Sequence, residues 1–297
     1  VLKAQQNEQY SQYINNKLLI NPAYAGSKDY LSVDLLYRTQ WTKIQGAPNT
    51  FTLAMHSPLK NKSHGLGGSI SLDAIGPYKN LQVVLDYAYR IKTKKGNFSL
   101  GINGGIFSYF TDYSSLDAYK AGNDNAYTNL TETSVLPVLG FGIYHQTKKL
   151  SWGLSAPYLL NGAGSFTPDK DVIKLKNYYF GFAEYLQKLS TKFKLKPSVI
   201  LKLNHDAPAN LDVNLHAIYN DLLMFGVGYR TESSFIFSAQ YILNDFIKKQ
   251  TPYQFRIGYA YDFANSQIRS ASGGTHEIIL GFDFVRQPEK IKSPRFF

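Results

Sequence analysis

Between Ser233 and Phe284 the chain runs through three segments whose residues alternate in character with a period of two. In the first, Phe235, Phe237, Ala239, Tyr241 and Leu243 share one face; Ser234, Ser238 and Gln240 share the other with Ile236 and Ile242. In the second, Phe255, Ile257, Tyr259, Tyr261 and Phe263 oppose Gln254, Arg256, Gly258, Ala260 and Asp262. In the third, His276, Ile278, Leu280, Phe282 and Phe284 oppose Glu277, Ile279, Gly281 and Asp283. Successive side chains of a strand point to opposite faces, so each segment presents one apolar, aromatic-rich face and one polar face. That pattern fits a sheet with one wet side or a barrel in lipid.

Composition narrows the choice. No run approaches the roughly 18–20 apolar residues of a membrane-spanning helix, and the mean hydropathy is only -0.26. A barrel escapes that test, because only every second residue faces lipid. The chain has 297 residues, 23 of them Tyr and 19 Phe. About fourteen strand-like segments follow Tyr30, near 30–41, 49–57, 65–73, 80–91, 96–110, 135–146, 150–160, 176–189, 193–205, 209–219, 222–230, 233–243, 254–263 and 275–284. A soluble sheet system carrying so much outward Phe and Tyr needs covering helices, and no stretch of suitable length exists. The expected fold is all-β: a transmembrane antiparallel barrel of about 14 strands with periplasmic termini. Tyr37, Trp41, Trp152, Tyr158, Tyr178, Tyr179, Tyr259 and Tyr261 are expected in its interfacial girdles. Residues 1–28 form a leader or plug without strand, 29–284 the barrel and 285–297 a periplasmic tail. The start at Val1, without Met, reads as a processed or trimmed chain.

The connections alternate too. The even ones are short and carry Lys60 and Lys62, then Lys92, Lys94 and Lys95, Lys148 and Lys149, Lys192, the bare Asn220-Asp221, and Lys248 and Lys249. The odd ones are longer and poorer in lysine: Thr42–Pro48, Ala74–Lys79, Thr111–Ser134, Asn161–Leu175 and Ala264–Gly274, with Asp206–Pro208 and Thr231–Glu232 as short exceptions. Short turns facing the periplasm and long loops facing outward are the pattern of an outer-membrane barrel. The net charge of +11 then belongs largely to a periplasmic rim, extended by Arg286, Lys290, Lys292 and Arg295. Such a rim suits a periplasmic partner or acidic headgroups. No aromatic-basic nucleic-acid module is present, so no nucleic-acid partner is expected.

Chemistry is hard to find in this chain. Cysteine is absent, which removes disulfides, thiolate metal sites and thiol nucleophiles. No phosphate loop, dinucleotide fingerprint or nucleophile elbow occurs. His56, His64, His145, His205, His216 and His276 lack metal-type spacing, and no Ser/His pair stands out. No enzyme, cofactor or metal is expected. By alternation Asp34, Arg38, Asp86, Arg90, Arg256, Asp262, Glu277 and Asp283 point into the lumen. They form either a self-satisfying salt-bridged wall or a selectivity lining for a solute. Closure brings the first and last strands together, so Arg38 is expected to pair with Glu277 or Asp283.

Three stretches carry a family resemblance. One is Gln12-Tyr13 with Asn21-Pro22-Ala23-Tyr24-Ala25-Gly26-Ser27. The second is Tyr37-Arg38-Thr39-Gln40-Trp41 with Gly46-Ala47-Pro48 and Thr50, then His64-Gly65-Leu66-Gly67-Gly68 and Asp73-Ala74-Ile75-Gly76-Pro77-Tyr78. The third is Gly274-Thr275-His276-Glu277-Ile278-Ile279-Leu280-Gly281-Phe282-Asp283-Phe284 with the terminal Ser293-Pro294-Arg295-Phe296-Phe297. Together they resemble the PorP/SprF family of type IX secretion-associated outer-membrane proteins of the Bacteroidota. The resemblance implies a non-enzymatic outer-membrane barrel beside the type IX translocon. Such a barrel is paired with a secreted surface protein, such as a gliding adhesin, held through its C-terminal targeting domain. Contacts with the translocon and periplasmic ring components are implied as well. The family supplies no catalytic residue, and its motif residues look architectural: Pro22 and Gly26 shape the leader, Gly46 and Pro48 the first outer loop, Gly76 and Pro77 the second. A passive or solute-specific channel is the alternative. Loops on a rigid scaffold usually carry binding, which makes Tyr113, Tyr119, Asn123, Asp124, Tyr127 and Phe166 of the two longest loops the expected partner contacts.

Overall fold

A computed structural model of the chain describes residues 10–112, 131–160, 177–204, 207–231, 234–243, 253–264 and 272–284. The strands of the first half are β1 (Leu31–Thr39), β2 (Asn49–Pro58), β3 (His64–Ile75), β4 (Tyr78–Thr93), β5 (Gly96–Asp112), β6 (Thr131–Thr147) and β7 (Leu150–Ala156). Those of the second are β8 (Tyr178–Tyr185), β9 (Gln187–Lys188), β10 (Phe193–Asn204), β11 (Ala207–Tyr219), β12 (Leu223–Arg230), β13 (Ser234–Leu243), β14 (Tyr253–Ala264) and β15 (Thr275–Phe284). Each strand pairs antiparallel with its sequence neighbours, except that β8 and β9 do not pair with each other. β8 and the two-residue β9 both lie along β10, so they form a single stave broken at Leu186. The wall therefore has fourteen staves. It closes where β1 meets β15, in register from Leu31 opposite Phe284 to Thr39 opposite His276. A closed ring leaves no free strand edge, which is what a lipid environment demands of a sheet.

The alternation read from the sequence sets the two faces. Leu85, Ile102, Leu154, Val213, Val227, Phe237 and Ile257 lie outside and exposed, Leu85 at 71%. The intervening residues are buried inside: Leu36 beside Asp34 and Arg38 on β1, Ile279 beside Glu277 and Asp283 on β15. Outward aromatic and histidine side chains gather toward the strand ends. The Tyr259 hydroxyl lies 2.6 Å from His276 Nδ1 near one rim, and His64 Nδ1 lies 2.6 Å from the Tyr87 hydroxyl near the other.

Two details correct the expectation. Tyr158 and Tyr178 face the lumen, not lipid, and are buried. β7 ends at Ala156, and beyond Pro157 the chain leaves the wall so that the amide of Gln82 donates to the Tyr158 hydroxyl at 2.8 Å. Tyr178 shares the inward phase of β8 with Phe180 and Phe182. The connection expected over Ala74–Lys79 is only a tight turn at Gly76-Pro77, because β3 and β4 stay paired up to Ile75 opposite Tyr78. Gly76 adopts φ 55° there, a left-handed conformation cheap only for glycine. On the opposite rim Asn220 and Asp221 both have positive φ, the twist of a two-residue hairpin turn that matches the strands it joins.

Fourteen staves enclose more space than wall side chains fill; about eight strands is where side chains alone suffice. Residues 10–30 occupy that space as irregular chain with two 3₁₀ turns, Lys17–Leu19 and Pro22–Tyr24. Tyr10, Tyr13, Leu18, Ile20, Ala23 and Tyr24 are all buried and form a core with inward wall residues such as Leu36, Val138, Tyr144 and Phe182. The apolar core is thus inside the barrel, around the leader. Removing one partner of a buried ion pair leaves an uncompensated charge. Arg38→Met is therefore expected to lower stability by about 3–5 kcal/mol, whereas Lys43→Gln on an exposed loop should change it by less than about 0.5 kcal/mol. The temperature at which the compact, fast-migrating form is lost on semi-native gels measures both.

Candidate functional site: the leader inside the barrel

The charged lumen residues form two clusters on the seam side of the barrel. In the first, nearer the long-loop rim, Arg38 Nη1 lies 2.9 Å from Glu277 Oε2 and Nη2 lies 2.8 Å from Asp262 Oδ2. Arg230 lies 2.7 Å from Asp212 and 3.5 Å from Asp262. Two guanidiniums thus face three carboxylates, and the leader supplies what is missing. The backbone N–H groups of Ser11 and Gln12 donate to the two oxygens of Glu277, each at 2.8 Å. The Ser11 hydroxyl donates to Asp262 at 2.6 Å, and Arg230 donates to the Tyr10 carbonyl at 3.1 Å. Backbone amides aimed at a carboxylate stabilise its charge as a cation does, without a second side chain to desolvate.

The second cluster sits nearer the short-turn rim. Arg256 lies 2.7 Å from Asp34 and 2.9 Å from Asp283. Lys28 of the leader lies 3.3 Å from Asp283 and donates to Ser32 at 2.8 Å, bringing this cluster to balance. A third contact lies across the lumen, where Lys17 of the leader lies 3.1 Å from Glu184, with Lys196 at 3.9 Å. Burial disfavours a lone ammonium, and the Glu184 carboxylate at contact distance supplies the counter-charge for Lys17.

Arg38 pairs with Glu277 and Asp262; Asp283 pairs instead with Arg256 and Lys28. Asp34, Arg38, Arg256, Asp262, Glu277 and Asp283 are therefore brought together at the seam. Asp86 and Arg90 are buried on β4, away from it. Among the described residues the Arg90 side chain reaches the Ser27 carbonyl at 3.4 Å and Asp29 at 3.8 Å. Tyr113, Tyr119, Asn123, Asp124, Tyr127 and Phe166 lie outside the described residues. Sequence reasoning missed Arg230, Asp212, Glu184, Lys17 and Lys28. Alternation held the signal for the first two: Asp212 shares the phase of Asn210, Asn214 and His216, and Arg230 that of Gly226 and Gly228. Nothing in the sequence marks Lys17 as buried or Lys28 as half-buried against the wall, since lysines in an irregular polar stretch normally face water.

The leader is also fitted by shape. Asn21 accepts from the Ala23 N–H at 2.9 Å, capping the second 3₁₀ turn, while its amide reaches the Ile143 carbonyl at 2.9 Å. Pro22 begins that turn, where a missing N–H costs nothing. A Cβ on Gly101 would run into the Ala23 backbone, so that wall position needs hydrogen. Gly26, at φ 67°, packs against Gly65, and its N–H reaches His56 Nδ1 at 3.2 Å. Among the described residues a cavity of about 30 Å³ lies between Tyr10, Tyr13, Ser71, Gln82 and Tyr158, room for a water or two.

A closed outer-membrane-type barrel whose lumen is occupied by its own leader is the class defined by this geometry. The chain belongs to the family described as type IX secretion system membrane protein PorP/SprF, whose model matches residues 2–282. It is a type IX secretion membrane protein of the outer membrane. No curated protein sequence matches it. Among solved structures it is similar to the CymD monoaromatic hydrocarbon channel, with TM-score 0.57 and 11% identity over 91% of this chain and 92% of that one. A TodX deltaS2S3 mutant monoaromatic hydrocarbon channel matches with TM-score 0.53 and 11% identity over 92% and 94%. At such identity the likeness is one of fold.

Gly101→Val places a branched side chain where Ala23 now packs. The expected result is a folded barrel with a displaced leader, seen as new protease cleavage near residues 10–28 and a raised bilayer conductance. A variant as protected and as silent as the parent counts against the leader as the element filling the lumen.

Proposed function

We propose that this protein is a non-enzymatic anchor of the type IX secretion system. It binds a secreted cell-surface partner, such as a gliding adhesin, through that partner's C-terminal targeting domain, beside the translocon and periplasmic ring components. The observation that supports this reading most is the leader: each charge cluster in the lumen is completed by Ser11, Gln12, Lys28 or Lys17. A lumen whose charges are spent on the chain itself offers little to a solute, which leaves recognition to the rims. With the short turns toward the periplasm, as is usual for such barrels, the long loops face the cell surface and carry the partner contacts. A solute channel is the competing reading, and it requires the leader to leave the lumen.

Two measurements separate these. A mild-detergent pull-down of the tagged chain from its own outer membrane, read by mass spectrometry, is expected to bring down a large secreted protein with a C-terminal targeting domain. Replacing 113–130, the connection between β5 and β6, by a short Gly/Ser linker is expected to abolish that retention while barrel assembly persists. A barrel that comes out alone and conducts in planar bilayers favours the channel; retention untouched by the replacement removes that loop from the binding surface.

A further inference from the structure

The lumen charges at the seam are matched with the leader's help, but those of the short-turn rim are not. Four consecutive turns with the strand ends beside them, joining β2 to β3, β4 to β5, β6 to β7, and the β8–β9 stave to β10, carry two, three, two and two exposed lysines. Among the described residues only Lys62 of these has a carboxylate within reach, Asp29 at 3.6 Å, and both side chains are more than half exposed. The arc follows eight adjacent staves. Like charges crowded on one rim repel one another, so the arrangement costs stability unless something anionic covers it.

The neighbours of these lysines say what that is. Lys60 follows Leu59, Lys149 precedes Leu150, Lys188 precedes Leu189 and Lys192 precedes Phe193, and those four apolar side chains are 43%, 41%, 60% and 50% exposed. Just inside the arc lies a belt of outward rings: His64 with Tyr89, Phe98 with His145, His145 with Trp152, and Phe193 with Tyr219. Rings of this kind sit at headgroup level, and lysines beside them extend their stems along the apolar boundary while the ammonium meets phosphate. A protein partner fits less well, because lysine is depleted in protein–protein interfaces.

We propose that this lysine arc binds the phosphate groups of anionic phospholipids in the leaflet at the short-turn rim, forming a selective lipid collar on one side of the barrel. The lysines act as point charges on a fluid ligand, so selectivity follows charge and fades with salt. Among the described residues the exposed lysines of the opposite rim, Lys43 on the loop after β1 and Lys79 at the start of β4, stand apart and form no such arc.

The test reconstitutes the full chain into phosphatidylcholine vesicles containing a trace of spin-labelled phosphatidylglycerol or of spin-labelled phosphatidylcholine. The motionally restricted fraction of the spectrum reports which lipid touches the barrel. The expected result is about threefold selectivity for phosphatidylglycerol at low salt, lost near 1 M salt, where screening shortens to about 3 Å. The Lys94→Gln/Lys95→Gln/Lys148→Gln/Lys149→Gln variant should approach parity at low salt, and Lys43→Gln/Lys79→Gln should keep the selectivity. Heat-modifiability on gels verifies that each variant is folded, and the salt response of the unaltered protein tests the idea independently of any variant. Equal restriction of the two labels in the unaltered protein, or selectivity that survives the fourfold neutralisation, overturns the proposal and leaves the arc to an acidic protein surface.

Discussion

The buried pairing between wall carboxylates and the leader is the interaction on which the rest depends. A fourteen-stave ring cannot be filled by side chains, and charges facing an empty low-dielectric lumen would be costly to leave unpaired. Arg38 and Arg230 alone do not balance Asp212, Asp262 and Glu277; the N–H groups of Ser11 and Gln12 complete the set. Arg256 alone does not balance Asp34 and Asp283; Lys28 does. Barrel and leader are therefore one folding unit, each supplying counter-charges that the other lacks.

This reciprocity explains where the sequence motifs fall. Asn21-Pro22-Ala23 needs the bare backbone of Gly101, and Gly26 needs Gly65. Tyr37–Trp41 and Gly274–Glu277 are more than two hundred residues apart in sequence but adjacent at the seam, where the Thr42 N–H donates to the Gly274 carbonyl at 3.0 Å. The Gly76 N–H donates to the Gly46 carbonyl at 2.9 Å, tying the first outer loop to the second turn. These motif residues hold closure and filling of the barrel, an architectural role that leaves the rims free to carry recognition.

Charge is thus divided by location. At the seam inside the barrel, guanidiniums, Lys28 and leader N–H groups meet the carboxylates at contact distance; on the short-turn rim the lysines of the arc are exposed and, Lys62 apart, have no carboxylate within reach among the described residues. Screening separates the two populations, because exposed charges weaken beyond a Debye length of about 10 Å at moderate salt while buried pairs hold. The net charge of +11 therefore describes surface behaviour more than stability.

The period-two patterns along 30–284 determined by themselves that the wall is β-sheet, which face is apolar and about how many staves there are, because side-chain direction in a strand is a local property. They also placed Asp34, Arg38, Arg256, Asp262, Glu277 and Asp283 inside. Pairing depends on register and on strands distant in sequence, so only the tertiary structure decided that Arg38 meets Asp262 as well as Glu277, and that Arg230 and Asp212 join them. It also turned Tyr158 and Tyr178 inward, where a chain leaving the wall after Ala156 and the phase of a short strand overrode aromatic character. The course of the leader lay beyond any local rule: nothing periodic marks residues 10–30, and the burial of Lys17 and the inward turn of Lys28 follow only from carboxylates that the closed barrel holds in place.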